Sequence, residues 1–143
     1  MDKNEIEKMV RSILEKSLSE NDNEIYHEAD GVVSCKIAQL KPEPFDTGKA
    51  GDNVGLIDAF NVNQSKNLGC GLMEMKETTF DWELDYDEIT YVIEGELQII
   101  KNGKKVSAKQ GEIIHTPSGS KIQFCVPEYA KFMYVTYPAD WAE

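Results

Sequence analysis

Trp82-Glu83-Leu84-Asp85-Tyr86-Asp87-Glu88, then six residues, then Gly95, is followed by Gly111, five residues, Pro117-Ser118-Gly119 and Ile122. Each half of this stretch is a strand pattern closed by a backbone punctuator. Gly95 lies between Val- and Ile-bearing segments, so it supplies a positive-φ residue in a tight turn with Glu96. Gly111 opens the next strand after Lys109-Gln110. Pro117 and Gly119 set a rigid turn behind Ile113-Ile114-His115-Thr116. These roles need no ligand.

Outward from this stretch, short strands alternate with turns. Strands are expected at Val32–Ile37, Val54–Val62, Leu72–Glu77, Glu88–Glu94, Leu97–Lys101, Lys105–Ala108, Glu112–Thr116, Lys121–Val126 and Lys131–Tyr137. Asn102-Gly103 is the strongest hairpin signal, because both residues tolerate positive φ. Many short strands with little helix predict an all-β sandwich or barrel.

The spacing of the two halves resembles the paired motifs of the cupin family, which implies a cupin jelly-roll β-barrel over roughly residues 30–137. In metal-binding cupins, the positions matching Trp82, Leu84, Glu88 and Ile122 supply the ligands. Here only Glu88 carries a ligating side chain. A transition-metal site needs several N, O or S donors at one point, so no metal of the usual cupin type is expected. The two histidines, His27 and His115, are far apart in sequence. His115 is read as a half-exposed strand residue whose neighbours Ile114 and Thr116 face the other way.

Glu88 is the candidate chemical residue. If it points inward, apolar surroundings raise its pKa and fit it for acid–base work or for anchoring a ligand hydroxyl or amine. Pairing with a nearby base or capping a backbone group is the alternative. Glu74 is a second candidate catalytic carboxylate. Trp82, Leu84, Tyr86, Ile122, Phe124 and Lys121 are the expected binding pocket, with Asp87 and Gln123 at its rim.

Several strings are more specific than a general cupin pattern: Glu74-Met75-Lys76, Tyr86-Asp87-Glu88-Ile89, Pro117-Ser118-Gly119-Ser120-Lys121 and Tyr137-Pro138-Ala139-Asp140-Trp141. Together they resemble the EutQ-like cupins of ethanolamine-utilisation operons. That resemblance implies a cytoplasmic protein associated with bacterial microcompartments. It also implies an acetate kinase, which would use ATP and Mg²⁺, with no tightly bound cofactor. Glu74 and Glu88 would hold the Mg²⁺, and Lys101, Lys104 or Lys121 would face the phosphates. The chain has no GxxxxGK[ST] loop, and its one arginine is Arg11. The other reading is a non-catalytic, degenerate cupin that binds a small ligand or microcompartment shell or cargo proteins.

The N-terminal segment has a different character. In residues 2–19, Ile6, Met9, Val10, Ile13, Leu14 and Leu18 form one apolar stripe of an amphipathic helix. A polar linker follows, so residues 1–24 are expected as helix and linker and 25–143 as the barrel domain. Such a stripe docks in a groove of a partner or packs on its own barrel or a second subunit. By resemblance to encapsulation peptides, residues 1–20 are the expected contact with shell or cargo proteins. Exposed sheet edges predict a homodimer.

Composition excludes some partners. The net charge of −11 disfavours nucleic acid and anionic membranes. No apolar run reaches the length of a membrane span, and the N-terminus has no secretory h-region. Cys35, Cys70 and Cys125 form no CxxC pair and read as buried free thiols of a reducing compartment.

Overall fold

The computed structural model describes residues 2–11 and 24–140. It divides into two compact units, Met1–Gln39 and Leu40–Glu143. In the first, residues 3–11 are helical. Asp2 caps this helix: its Oδ1 accepts the Glu5 backbone N–H at 2.8 Å. The expected continuation to residue 19, with Ile13, Leu14 and Leu18, lies outside the described residues. The same unit holds a hairpin of β1 (Tyr26–Ala29) and β2 (Val32–Cys35) and a 3₁₀ turn at Ile37–Gln39. β2 therefore ends two residues before the strand expected to reach Ile37.

The second unit is a seven-stranded antiparallel sheet of β3 (Glu43–Pro44), β4 (Val54–Phe60), β5 (Gly69–Leu84), β6 (Asp87–Lys101), β7 (Lys104–Lys109), β8 (Ile113–Thr116) and β9 (Ser120–Tyr137). Its long strands change partners along their length. Residues 88–91 of β6 lie between β8 and β9, whereas residues 98–100 lie between β7 and β9. The first part of β5 pairs with the end of β9, and the last part of β5 with its start. The sheet thus folds on itself into two layers, β4-β5-β9-β6-β8 and β5-β9-β6-β7. This is the expected jelly roll.

Three expected boundaries are corrected by this geometry. Gly95 is not a chain reversal: β6 runs through it at a register shift. The segments expected as Lys121–Val126 and Lys131–Tyr137 are one strand, β9, and the strand expected at Leu72–Glu77 extends to Leu84. The physical reason is closure. A strand that serves both layers must bend sharply without stopping, and bulges with positive-φ residues permit this. Gly95 (φ 78°) and Glu77 (φ 46°) stand at such bends. The Asn102-Gly103 turn is as expected, with φ of 53° and 73° and Lys101 opposite Lys104.

Alternation fills the space between the layers. Leu84, Val92 and Leu97 are fully buried, as are Phe124 and Phe132 within a few per cent. The last two belong to the two halves of β9, and their rings stack with centroids 6.4 Å apart. Burial of each such side chain stabilises by roughly 1.5–3 kcal/mol. The three cysteines form no disulfide and are half-buried, not buried as expected.

Candidate active site inside the barrel

Glu88 faces inward because β6 alternates with period two: Glu88, Thr90 and Val92 are buried while Asp87, Ile89 and Tyr91 are exposed. Its register partners are Thr136 on β9 and Thr116 on β8. Both are buried, so hydroxyl-bearing residues flank the carboxyl on each side. No lysine or arginine is among these neighbours. Burial pushes the Glu88 carboxyl up to about 7. Thr90, two residues on along the same face, opposes the shift and is the smaller of the two causes.

A cavity of about 20 Å³ adjoins Glu88, lined also by Phe45, Trp82, Tyr86, Phe124 and Tyr134. It is room for about one water molecule. Two polar pairs border it. Trp82 Nε1 donates to Tyr86 Oη at 2.7 Å, and Tyr134 Oη donates to Asp58 Oδ1 at 2.9 Å. Burial raises both phenols above their ordinary range. The next largest cause is the Glu88 charge for Tyr86 and the Asp58 charge for Tyr134. Replacing Trp82 by Phe removes its donor and is expected to cost about 1 kcal/mol, measurable by urea unfolding.

The register explains how Tyr134 reaches Asp58. Asp58, Gly71, Tyr134, Thr90 and Ile114 form one row across β4, β5, β9, β6 and β8. Gly71 has no side chain, and a β-carbon there would overlap the Tyr134 ring and hydroxyl. The ring therefore lies across β5 and meets the carboxylate beyond it.

Of the expected pocket, the structure brings Trp82, Tyr86 and Phe124 to Glu88. Leu84 and Ile122 are buried in the core on the same inward faces. Lys121 is exposed and pairs in register with Glu83, so it does not line this cavity. One-residue alternation puts Ile122 inside and Lys121 outside. Glu74 is likewise separated from Glu88. It is half-buried between the inward Met73 and Met75, lies 3.9 Å from Lys131 Nζ, and borders a different cavity with Lys76 and Tyr129. Asp87 holds the Pro117 turn by accepting the Ser118 N–H at 2.9 Å, and Gln123 donates to Asp81. His115 is exposed between buried Ile114 and Thr116, as alternation predicts. Sequence reasoning missed Tyr134, Asp58 and Phe45, which are remote from the motif and arrive only through strand register.

Trp82, Leu84 and Ile122 offer no donor set for a transition metal beside Glu88. Among the described residues no three His, Cys, Asp or Glu side chains converge as ligands of one ion.

The family model described as Ethanolamine utilisation protein EutQ matches residues 1–143. The chain belongs to the EutQ family. A Clostridioides difficile protein named Acetate kinase EutQ is 52% identical over 99% of this chain and 95% of its own. A solved Clostridium difficile EutQ structure is 57% identical, with a TM-score of 0.78 over 80% of this chain and 86% of that one. A EutQ structure from Salmonella typhimurium is 33% identical, with a TM-score of 0.76 over 80% and 94%. Curated EutQ relatives from Salmonella typhimurium and Escherichia coli are longer proteins. Each is 39% identical over 62% of this chain but only 38% of its own length. A cupin-2 domain protein from Shewanella frigidimarina, 24% identical over 59% of this chain and 79% of its own, shares the fold alone, with a TM-score of 0.51. The EutQ family expected from the strings between residues 74 and 141, and the cupin jelly-roll fold expected from residues 82–122, are thereby established.

Proposed function

We propose that this EutQ chain converts ATP and acetate to ADP and acetyl phosphate. The observation that carries this reading is the 52% identity, across nearly the whole chain, to a protein named Acetate kinase EutQ. In this reaction an acetate oxygen forms a bond to the γ-phosphorus, and the bond to the bridging oxygen of ADP breaks. Phosphoryl transfer asks the protein mainly for positioning and for cations at the phosphates. Mg²⁺ would arrive on the nucleotide. A Glu88 carboxyl that is half neutral near pH 7 suits donation of one hydrogen bond to the acetate carboxylate. Glu74, on a separate cavity, would act only through another group.

The test is acetyl phosphate formation by the purified full chain from ATP, Mg²⁺ and acetate, trapped as the hydroxamate. Turnover above a mock preparation supports the reading; its absence at saturating substrates ends it. One observation favours the non-catalytic alternative, a degenerate cupin binding a small ligand or shell and cargo proteins. The cavity beside Glu88, at about 20 Å³, must open before acetate enters.

Association with a microcompartment in the cytoplasm belongs to the same proposal. It is supported by the exposed Ile6, Met9 and Val10 stripe on residues 3–11, an apolar face suited to a partner's groove. A homodimer is proposed on the open edges of β7 and β8. Deleting residues 1–20 should leave the thermal midpoint of the barrel within a few degrees while removing co-assembly with shell proteins.

A further inference from the structure

A groove of about 320 Å³ opens at the end of the barrel between the β6–β7 hairpin and the β8–β9 turn. Its lining includes Lys101, Lys104, Thr116, Pro117 and Ser120, and no carboxylate among the described residues. The volume falls in the range of small-molecule sites. Acidic residues outnumber basic ones 26 to 15 in the chain. The three other cavities described each contain at least one Asp or Glu.

The two lysines are also paired at a cost. Lys101 and Lys104 are direct register partners across the Asn102-Gly103 turn. Like charges in that arrangement repel on one face of a hairpin. That face looks into the barrel: Leu97 and Ile99, which alternate with Lys101, are buried, and Lys101 Nζ reaches the fully buried Ser120 at 3.2 Å. Ser120 Oγ in turn donates to the Pro117 carbonyl at 2.7 Å. Its hydroxyl hydrogen is committed there, so it accepts from the ammonium and leaves that group's remaining hydrogens free to point outward. Lysines that guard an edge strand against pairing need no such anchoring.

We propose that this end of the barrel binds a polyphosphate anion between Lys101 and Lys104, with Ser120 and the Pro117 carbonyl positioning Lys101. An anion between the two ammonium groups relieves their repulsion and accepts charge-assisted hydrogen bonds from both. The identity of the anion as the phosphates of ATP or acetyl phosphate rests on the kinase reading; the location does not.

Pyrophosphate is the probe, titrated calorimetrically into the full chain at low ionic strength. Lys101→Gln and Lys104→Gln should each weaken binding roughly 10-fold, and the double variant roughly 100-fold. Lys104→Glu provides a fold-independent check. It puts opposite charges across the hairpin, so it should abolish pyrophosphate binding while raising the thermal midpoint of the free protein by about 1–3 °C. Unchanged pyrophosphate affinity in Lys104→Glu or in the double glutamine variant overturns the site, as does a native protein that binds none. Lysine-dependent binding by a protein that makes no acetyl phosphate keeps the site and removes the kinase reading. Undiminished acetyl phosphate formation by the double variant keeps the kinase reading and overturns ATP and acetyl phosphate as the anion of this site.

Discussion

Replacing Gly95 by alanine is expected to destabilise the barrel by about 2–5 kcal/mol, enough to lower the urea midpoint markedly and to bring part of the population to the unfolded state on warming. Two independent effects add. Gly95 has φ of 78°, where an alanine costs about 1–2 kcal/mol. A β-carbon would also overlap the carbonyl oxygen of Tyr129 on β9. That neighbour is backbone, so it cannot rotate away, and relief requires β6 and β9 to separate where β6 passes between layers. Gly103 is the control: it too has positive φ, 73°, but nothing lies within 4 Å of a β-carbon there. Gly103→Ala should therefore show the backbone effect alone. Equal losses at the two positions would refute the role given to the Tyr129 contact.

Glu88→Gln is expected to stabilise the protein at pH 8 and to flatten its pH dependence between about 4.5 and 7. The carboxyl titrates near 4.5 when exposed and near 7 in the barrel. In that window the folded chain holds a proton that the unfolded chain has released. Stability therefore falls as pH rises through the window, and the full penalty is present above pH 7. A difference of about 2.5 pH units corresponds to about 3 kcal/mol, an order of magnitude for the loss. Glutamine fills the same space without an ionised form to bury. Urea unfolding at pH 4 should separate the two proteins little, and at pH 8 the variant should be the more stable. Parallel pH profiles would show that Glu88 does not ionise in a dry site. For activity the informative change is Glu88→Ala, which should lower acetyl phosphate formation by roughly 100-fold or more if the carboxyl takes part in proton positioning.

The legible part of this site was its axis. Glu88 could be placed inside because the apolar residues around it alternate, and because Gly95, Gly111, Pro117 and Gly119 stand where a jelly roll turns or bends. Trp82 and Ile122 announced an apolar setting for that carboxyl, and the interior pair of Trp82 with Tyr86 lies within the motif itself. Lys121 and Glu74 were misplaced for one shared reason. Chemical type drew them into the pocket, whereas strand alternation puts Lys121 one residue out of phase with Ile122 and Glu74 out of phase with Met73. Tyr134 and Asp58 could not be found this way, since 76 residues separate them and only the β4-β5-β9 register brings them together.

The amino-acid sequence by itself determined the family, the all-β class, the hairpin at Asn102-Gly103 and the lack of a metal donor set beside Glu88, because these depend on local φ preferences, period-two patterning and residue chemistry. The tertiary structure decided which strands are continuous, β6 through Gly95 and β9 through residues 127–130, which carboxylate is dry, and which serine Lys101 reaches. Those properties depend on register and on how far a bent strand travels between layers. Both are set by pairing with residues distant in the chain.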